Sequence, residues 1–482
     1  MISSIINGKK ILSHTKTNYA YGIDGEKLDT VCVFNDSIEQ YVPELHTVFN
    51  HWKKTTIPER LNTLVSIKTI FQNEQFSNKL VDSICKEIGK PLNEAETEVS
   101  ESIALIDFFL DNITSETFIS KVEIDPYYET KNNYIKLCPI GIVGIIKPWN
   151  YPLTNSLWSI LPAILAGNIV IYKPSEYCCY TANILAEAFI NSNLPRGVFN
   201  ILFGDDITGQ RLVECKEISM ISFTGSTDTA IEIQKKSADF GIIRKFSLET
   251  GGSDFAIIDK VIDMDFTING VIWGAFNNSG QVCTSIENVL VPIEIYSDFT
   301  KKLINKIHEL RPKKDYGKLQ NAALTFKTQK YLNRIVQNPL TNIVTGGYIR
   351  DNFLMPTLIE CEDFSEINVE VFSNILRIFK YSSEMDIPKI INSSKFGLGC
   401  SIWTAEPHSP RINQLIDDLN VGMIWINDVN VSFPEMPWGG VKNSGVGFNL
   451  SVDSIKEFSS LKSISIDSNW KINKEWWYPY EN

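Results

Sequence analysis

Between Gly141 and Lys245, short apolar runs alternate with helical patterns, and this alternation limits the possible folds more than any other feature of the chain. The runs are Val143-Gly144-Ile145-Ile146, Ile169-Val170-Ile171-Tyr172, Val198-Phe199-Asn200-Ile201-Leu202 and Met220-Ile221-Ser222-Phe223. Apolar residues recur at helical spacing between them, as from Ala182 to Ile190 and from Asp228 to Ala238. Strand, helix and strand in succession predict a parallel α/β sheet of the nucleotide-binding kind.

The flanking regions read differently. From Ile38 to about Asn112 the pattern is mainly helical, and Ser100 to Leu110 places apolar residues at helical spacing. A second α/β segment is expected from about Leu248 to Trp438, with strands at Phe255-Ala256-Ile257-Ile258 and Val289-Leu290-Val291. Tyr134-Ile135-Lys136-Leu137 and Lys462 to Asp467 alternate apolar and polar residues, as half-exposed strands do. At 482 residues the chain has room for about three domains.

Composition excludes several function classes. A formal charge of −12 argues against nucleic acid or an anionic membrane as partner. The most apolar stretch, Leu157 to Tyr172, contains Pro162, Gly167 and Asn168 and is too short and broken to cross a bilayer. No basic segment precedes a long apolar one at the N-terminus, so no signal peptide is expected. The nine cysteines form no C-x-x-C pair and follow no disulfide-like spacing, so no metal site is expected and a reducing cytoplasm fits best.

Three segments carry chemistry. Asn278-Ser279-Gly280-Gln281-Val282-Cys283 puts a cysteine in a small, polar, glycine-containing setting. Polar neighbours and loop N–H groups there should help ionise the thiol, whose anion is the reactive form. Leu248-Glu249-Thr250-Gly251-Gly252 supplies a carboxylate, and Pro148-Trp149-Asn150-Tyr151-Pro152 supplies a side-chain amide. Thiol, carboxylate and amide are the groups needed to oxidise an aldehyde through a thioester: nucleophile, base for the hydrolytic water, and oxyanion donor.

These motifs resemble those of the aldehyde dehydrogenase superfamily, from roughly Ile38 to Leu461. The resemblance implies an NAD(P)-dependent, non-phosphorylating aldehyde dehydrogenase, with Cys283, Glu249 and Asn150 in those three roles. It implies a Rossmann-type nucleotide-binding domain (1–119, 141–247 and 441–461) and an α/β catalytic domain (248–440). A small oligomerisation sheet with the C-terminal tail (120–140 and 462–482) would join a homodimer or homotetramer.

By the same resemblance the cofactor lies against Ile146, Trp149, Lys173, Glu176, Gly225, Ser226, Leu248, Gly251, Glu370 and Phe372. Phe223-Thr224-Gly225-Ser226 stands where a G-x-G-x-x-G is absent, and Ser226 should open a helix whose N–H groups suit a pyrophosphate. Glu176 favours NAD over NADP, though NADP is not ruled out. The family's Gly-Pro after E-x-F is Ser373-Asn374 here, a usual glycine is Ala230, and Phe448-Asn449 stands where an arginine is common. The glycine-rich segment Pro437 to Gly447 reads as a packed loop beside the substrate entrance, in preference to a phosphate cradle.

The aldehyde tunnel is expected to be lined by Tyr151, Asn155, Trp158, Val282, Thr284, Asn430, Ser432 and Trp438. Its mixed aromatic and polar lining points to a hydroxylated, amino or otherwise polar aldehyde. No arginine is an obvious carboxylate clamp, with Arg244 and Arg377 left open, so an acidic semialdehyde has no support as substrate. Two alternatives stay open: an acylating enzyme that passes the thioester to coenzyme A, and a catalytically silent member with a structural or binding role.

Overall fold

The computed structural model describes residues 1–12, 17–123, 131–261, 263–469 and 477–478. Parts of the expected projecting sheet and tail, 124–130, 470–476 and 479–482, lie outside the described residues.

Two large sheets dominate. The first has eight strands, ordered Lys9–Ile11, Ser4–Ile6, Phe199–Ile201, Ile169–Pro174, Ile142–Lys147, Ile218–Thr224, Lys245–Glu249 and Gly445–Val446. Its five central strands run parallel. Each apolar run of the sequence lies on one of them, and the strand Ile169–Pro174 is buried along its whole length. Such strands need cover on both faces, and the intervening helices, among them Thr154–Leu165, Cys179–Ile190 and Thr227–Asp239, lie between them in sequence as a parallel crossover requires.

The second sheet has seven strands and is parallel apart from its edge strand Thr341–Thr345. Asp254–Ile258 and Ile286–Pro292 are neighbours near its centre. The expected helical region contains four helices, Val42–Trp52, Ile57–Phe71, Glu74–Ile88 and Leu92–Asn112. The N-terminal strands, absent from the sequence reading, extend the first sheet: Ser4–Ile6 pairs antiparallel with Phe199–Ile201, and Lys9–Ile11 pairs antiparallel with Ser4–Ile6.

A third, three-stranded sheet pairs Ser459–Asp467 with Lys131–Pro139 over nine residues, and Lys131–Pro139 with Ile119–Val122. The two alternating segments of the sequence are thus direct neighbours, with Ile464 opposite Tyr134. No helix among the described residues is long and apolar enough to cross a membrane.

Candidate active site

The cysteine loop is built on three consecutive left-handed residues. After the helix Met264–Phe276 the chain turns through Asn278 (φ 47°), Ser279 (φ 60°) and Gly280 (φ 69°). Such φ values are unusual for residues with a Cβ and are held here by surrounding bonds. Ser279 Oγ accepts from Gly317 N–H at 2.8 Å, and Gln281 Oε1 accepts from Gln320 N–H at 2.9 Å. Gly280 also has no room for a side chain, because a Cβ would lie 2.3 Å from the Ser373 carbonyl oxygen.

Asn150 is tied to this loop from both ends. Its Nδ2 donates to the Gln281 carbonyl at 3.0 Å, and its own carbonyl accepts from Asn278 Nδ2 at 3.0 Å. One N–H of the amide is used in this way, and an amide carries two. Two residues beyond Gln281, Cys283 reaches the surface of an enclosed cavity.

Glu249 ends the strand Lys245–Glu249 and is 5% exposed. Burial pushes its carboxyl well above the usual range, while Lys147 and a 3.4 Å hydrogen bond from Asn449 Nδ2 act against that rise. The Cys283 thiol is also pushed up, first by burial and then by the carboxylates of Glu249, Asp254 and Glu370. This corrects the expectation that the loop ionises the thiol. The Thr284 N–H favours the thiolate, but desolvation and the neighbouring carboxyl groups outweigh it and hold the thiol above its ordinary range.

The cavity before the sulfur holds about 150 Å³. Tyr151, Asn155, Trp158, Val282, Asn430, Ser432 and Trp438 line it, as the sequence led us to expect. Trp158 and Trp438 meet with ring centroids 5.3 Å apart. Thr284 does not line it: the residue is 1% exposed, and its hydroxyl is buried without a hydrogen-bond partner. Neighbouring side chains on an irregular loop point to different sides, and here only Val282 and Cys283 face the cavity.

The opposite wall was not foreseen. The helix Leu92–Asn112 turns Asn93, Glu94, Thr97, Glu98 and Glu101 toward the cavity, one face at helical spacing. Glu98 forms a fully buried 2.6 Å ion pair with Lys90 and accepts from the N–H groups of Leu153 and Thr154. The Lys90 ammonium also stands 3.4 Å from the centre of the Tyr151 ring. Glu94 accepts from Asn278 N–H at 3.0 Å and is pushed up to about 7 by burial. Glu101 is raised by burial and by Glu98. Thr154, Trp273 and Asn277 complete the unforeseen lining, and no basic side chain lines the cavity among the described residues. The i, i+4, i+7 spacing of the three glutamates was legible, but the wall they face is set only by tertiary packing.

A second cleft, of about 510 Å³, lies at the carboxyl ends of the first sheet and is lined in part by Ile146, Lys173, Gly209, Phe223 and Ile233. Gly209 of the helix Asp206–Glu214 faces the Lys173 stem across the cleft wall. Ser226 caps the helix Thr227–Asp239, accepting from Thr229 N–H at 3.2 Å, and Gly225 N–H donates to the Glu249 carbonyl. Glu176 stands 3.8 Å from Lys173. Ala230 is buried in the helix without disturbing it.

Trp149 and Phe372 meet edge to face at 5.9 Å. The loop holding Phe372 (φ 62°) is fixed by Glu287, which accepts from the N–H groups of Val371 and Phe372. Gly251 admits the Glu370 carboxylate, which a Cβ would strike at 2.2 Å. Leu248 is buried between Phe223 and Val446 in the first sheet. A cleft at the carboxyl ends of parallel strands, with Lys173 in its wall and the capped start of the helix Thr227–Asp239 beside it, fits a nucleotide.

Arg377 and Arg244 are not a substrate clamp. Arg377 is wholly buried and bonds Glu287, Ser253 and backbone carbonyls. Arg244 donates to the Cys215 carbonyl and lies away from the cavity. The glycine-rich loop packs as expected: Ser444 Oγ donates to the Gly251 carbonyl and Trp438 pairs with Asn449.

Residues 24–464 match the aldehyde dehydrogenase family. The chain belongs to that family. Its chemistry is NAD(P)-dependent oxidation of aldehydes. The chain is 29% identical to human 2-aminomuconic semialdehyde dehydrogenase, an alignment covering 89% of this chain and 91% of that one. It is also 29% identical to aminoaldehyde dehydrogenase 1, peroxisomal, of Pisum sativum, over 81% of this chain and 79% of that one. Its fold matches betaine aldehyde dehydrogenase of Staphylococcus aureus in complex with NAD+, with a TM-score of 0.90 and 23% identity over 99% and 97% of the two chains.

Proposed function

We propose that this aldehyde dehydrogenase converts an amino-bearing, cationic aldehyde to its carboxylic acid through a thioester on Cys283. The observation that carries the reading is the cavity itself: the sulfur stands at one end, and Glu94, Glu98 and Glu101 stand in its wall beside four aromatic rings. An ammonium is attracted by carboxylates and by ring faces alike. A carboxylate-tailed aldehyde would meet Glu94 and Glu101 and no basic side chain in that lining, Glu98 being already paired with the buried Lys90. The name of the pea relative, aminoaldehyde dehydrogenase, agrees with this substrate class.

In this reading the thiol passes its proton to Glu249, the carboxylate that most raises it, and the sulfur bonds to the carbonyl carbon. Asn150, with the second N–H of its amide, and the Cys283 backbone N–H hold the oxygen as it becomes negative; losing one such donor costs about 3 kcal/mol at the transition state. NAD(P), when bound, takes up the hydride that leaves this carbon. Glu249, having released its proton to solvent, then takes one from water, whose oxygen attacks the thioester. The acid leaves and the sulfur regains a proton. A carboxylate placed to serve water favours hydrolysis over transfer to coenzyme A.

The groove would hold the cofactor with Lys173 and Glu176 at the adenosine ribose, Gly225 and Ser226 at the pyrophosphate, and Glu370 and Phe372 at the nicotinamide end. Ile146, Trp149, Leu248 and Gly251 would form its floor. Glu176 would disfavour a 2′-phosphate, so NAD is preferred. We assign residues 1–119, 141–247 and 441–461 to the cofactor domain and 248–440 to the catalytic domain. The projecting sheet is assigned to a homodimer or homotetramer, and nine free thiols suit the cytoplasm.

An NADH-absorbance screen of matched amino, neutral and acidic aldehydes tests the substrate class. The amino aldehydes should give the highest kcat/KM; faster turnover of acidic semialdehydes would contradict the reading.

A further inference from the structure

The Asn155 amide stands in the cavity wall with none of its hydrogen-bonding capacity used. The residue is 7% exposed and lines the cavity from the first turn of the helix Thr154–Leu165. Its backbone N–H donates to the Tyr151 carbonyl at 3.2 Å. Among the described residues, neither its Oδ1 nor its Nδ2 has a protein partner. Several other polar groups of the lining are engaged. Asn277 Oδ1 accepts from the Tyr151 hydroxyl at 2.7 Å, Asn430 Nδ2 donates to the Gly274 carbonyl at 3.1 Å, and Glu98 is held by Lys90.

The level of Asn155 in the cavity follows from two elements that run in step. Glu94 accepts from Asn278 N–H in the cysteine loop, and Asn278 Nδ2 donates to the Asn150 carbonyl. One turn on, Glu98 accepts from the N–H groups of Leu153 and Thr154. Glu101 follows Glu94 by two turns, about 10 Å along the helix. Asn155, next to Thr154, therefore stands level with Glu98, midway between the cysteine loop and Glu101. Tyr151 and Trp158, one turn before it and one turn after, line the same cavity and cover apolar carbons on either side.

We infer that the substrate carries a hydroxyl between its aldehyde carbon and its ammonium, and that Asn155 is the specificity-determining residue that pairs with it. The inference rests on the cationic reading above, which puts the carbonyl at the sulfur and the ammonium toward Glu101. A chain so placed passes Asn155 at its middle. An unbroken run of methylenes there would leave the amide unpaired, and a buried polar group without a partner costs about 1–3 kcal/mol. A hydroxyl donates and accepts, so it meets either end of the amide. A carboxylate at that point would stand between Glu94 and Glu101, whereas a hydroxyl adds no charge. A site built around a hydrogen-bonding group rejects analogues that lack the partner.

Initial rates of NADH formation with matched aldehydes of equal chain length test this. The pairs are an ω-amino aldehyde with and without a mid-chain hydroxyl, and the same two compounds with a methyl group in place of the ammonium. The unaltered enzyme should favour the hydroxylated amino aldehyde about tenfold in kcat/KM, the size of one neutral hydrogen bond. Asn155→Leu, close to asparagine in shape, should bring that ratio to about one. Asn155→Ala, which adds no bulk, should do the same and guards against a leucine that disturbs packing. No preference in the unaltered enzyme, or a preference kept in both variants, would overturn the inference. A hydroxyl preference that depends on Asn155, with equal turnover of the amino and methyl compounds, would keep the hydroxyl contact and overturn the cationic reading instead.

Discussion

Cys283 and Glu249 are both buried and both pushed up by desolvation, and the Glu249 carboxylate further raises the thiol. Desolvation penalises both anions, and a neighbouring negative charge adds to the penalty on the thiolate. Cofactor-free enzyme should therefore react slowly with iodoacetamide at neutral pH, with Cys283 alkylation accelerating only above the ordinary thiol range. Mass-spectrometric labelling against pH checks this; rapid labelling at pH 7 would show an ionised thiol. Cys283→Ser should abolish oxidation while leaving NAD binding, measured by fluorescence titration, within about twofold.

The same scale shows where the sequence stops being informative. Cys283, Asn150 and Glu249 each sit inside a distinctive local motif, so their candidacy was legible without coordinates. Asn449 was not: in the sequence it reads only as a residue that displaces an arginine, whereas in the fold it bonds both Glu249 and Ser159. Thr284 misled in the opposite way, because adjacency to a nucleophile does not fix the side to which a loop residue points.

At the level of elements, the cysteine turn and the helix Leu92–Asn112 decide the shape of the site. Gly280→Ala would put a methyl group against the Ser373 carbonyl at a left-handed φ. We expect a loss of about 1–3 kcal/mol of stability and at least tenfold in kcat, read by denaturant unfolding and steady-state kinetics. The glutamate wall makes a different prediction. Glu101→Gln should raise KM for an amino aldehyde about tenfold, equivalent to about 1.4 kcal/mol, and leave a neutral aldehyde of equal size unchanged. Equal effects on both substrates would count against an ammonium beside Glu101. Strand and helix patterns predicted these elements well because apolar periodicity is local. The wall was missed because the direction a helix faces depends on what it packs against.

For the molecule as a whole, the carboxyl ends of strands in the first sheet meet a loop that leads into the second sheet. Lys147, Thr224 and Glu249 end adjacent parallel strands of the first sheet, while Cys283 immediately precedes the strand Ile286–Pro292 of the second. The α/β class and the order of helical and strand-rich regions were readable from patterning. The N-terminal strands that extend the first sheet were not, being only three residues each. Among the described residues, Ser459–Asp467 lies at the edge of the third sheet and pairs with Lys131–Pro139, and an edge strand of this kind suits pairing with another strand. Ile464→Pro, which removes a backbone N–H donor from this strand, should shift the enzyme toward monomer in light-scattering chromatography. An unchanged mass would show that assembly uses another surface.

The central claim is a covalent acyl group on one sulfur, released by one carboxylate. Glu249→Gln enzyme, mixed with NAD and an amino aldehyde and acid-quenched after the NADH burst, tests it by peptide mass spectrometry. The account predicts one acyl group on the Cys283 peptide, in amount equal to the burst, followed by stalled turnover. An unmodified Cys283 peptide, an acyl group on another residue, or steady-state turnover equal to that of the unaltered enzyme would contradict it.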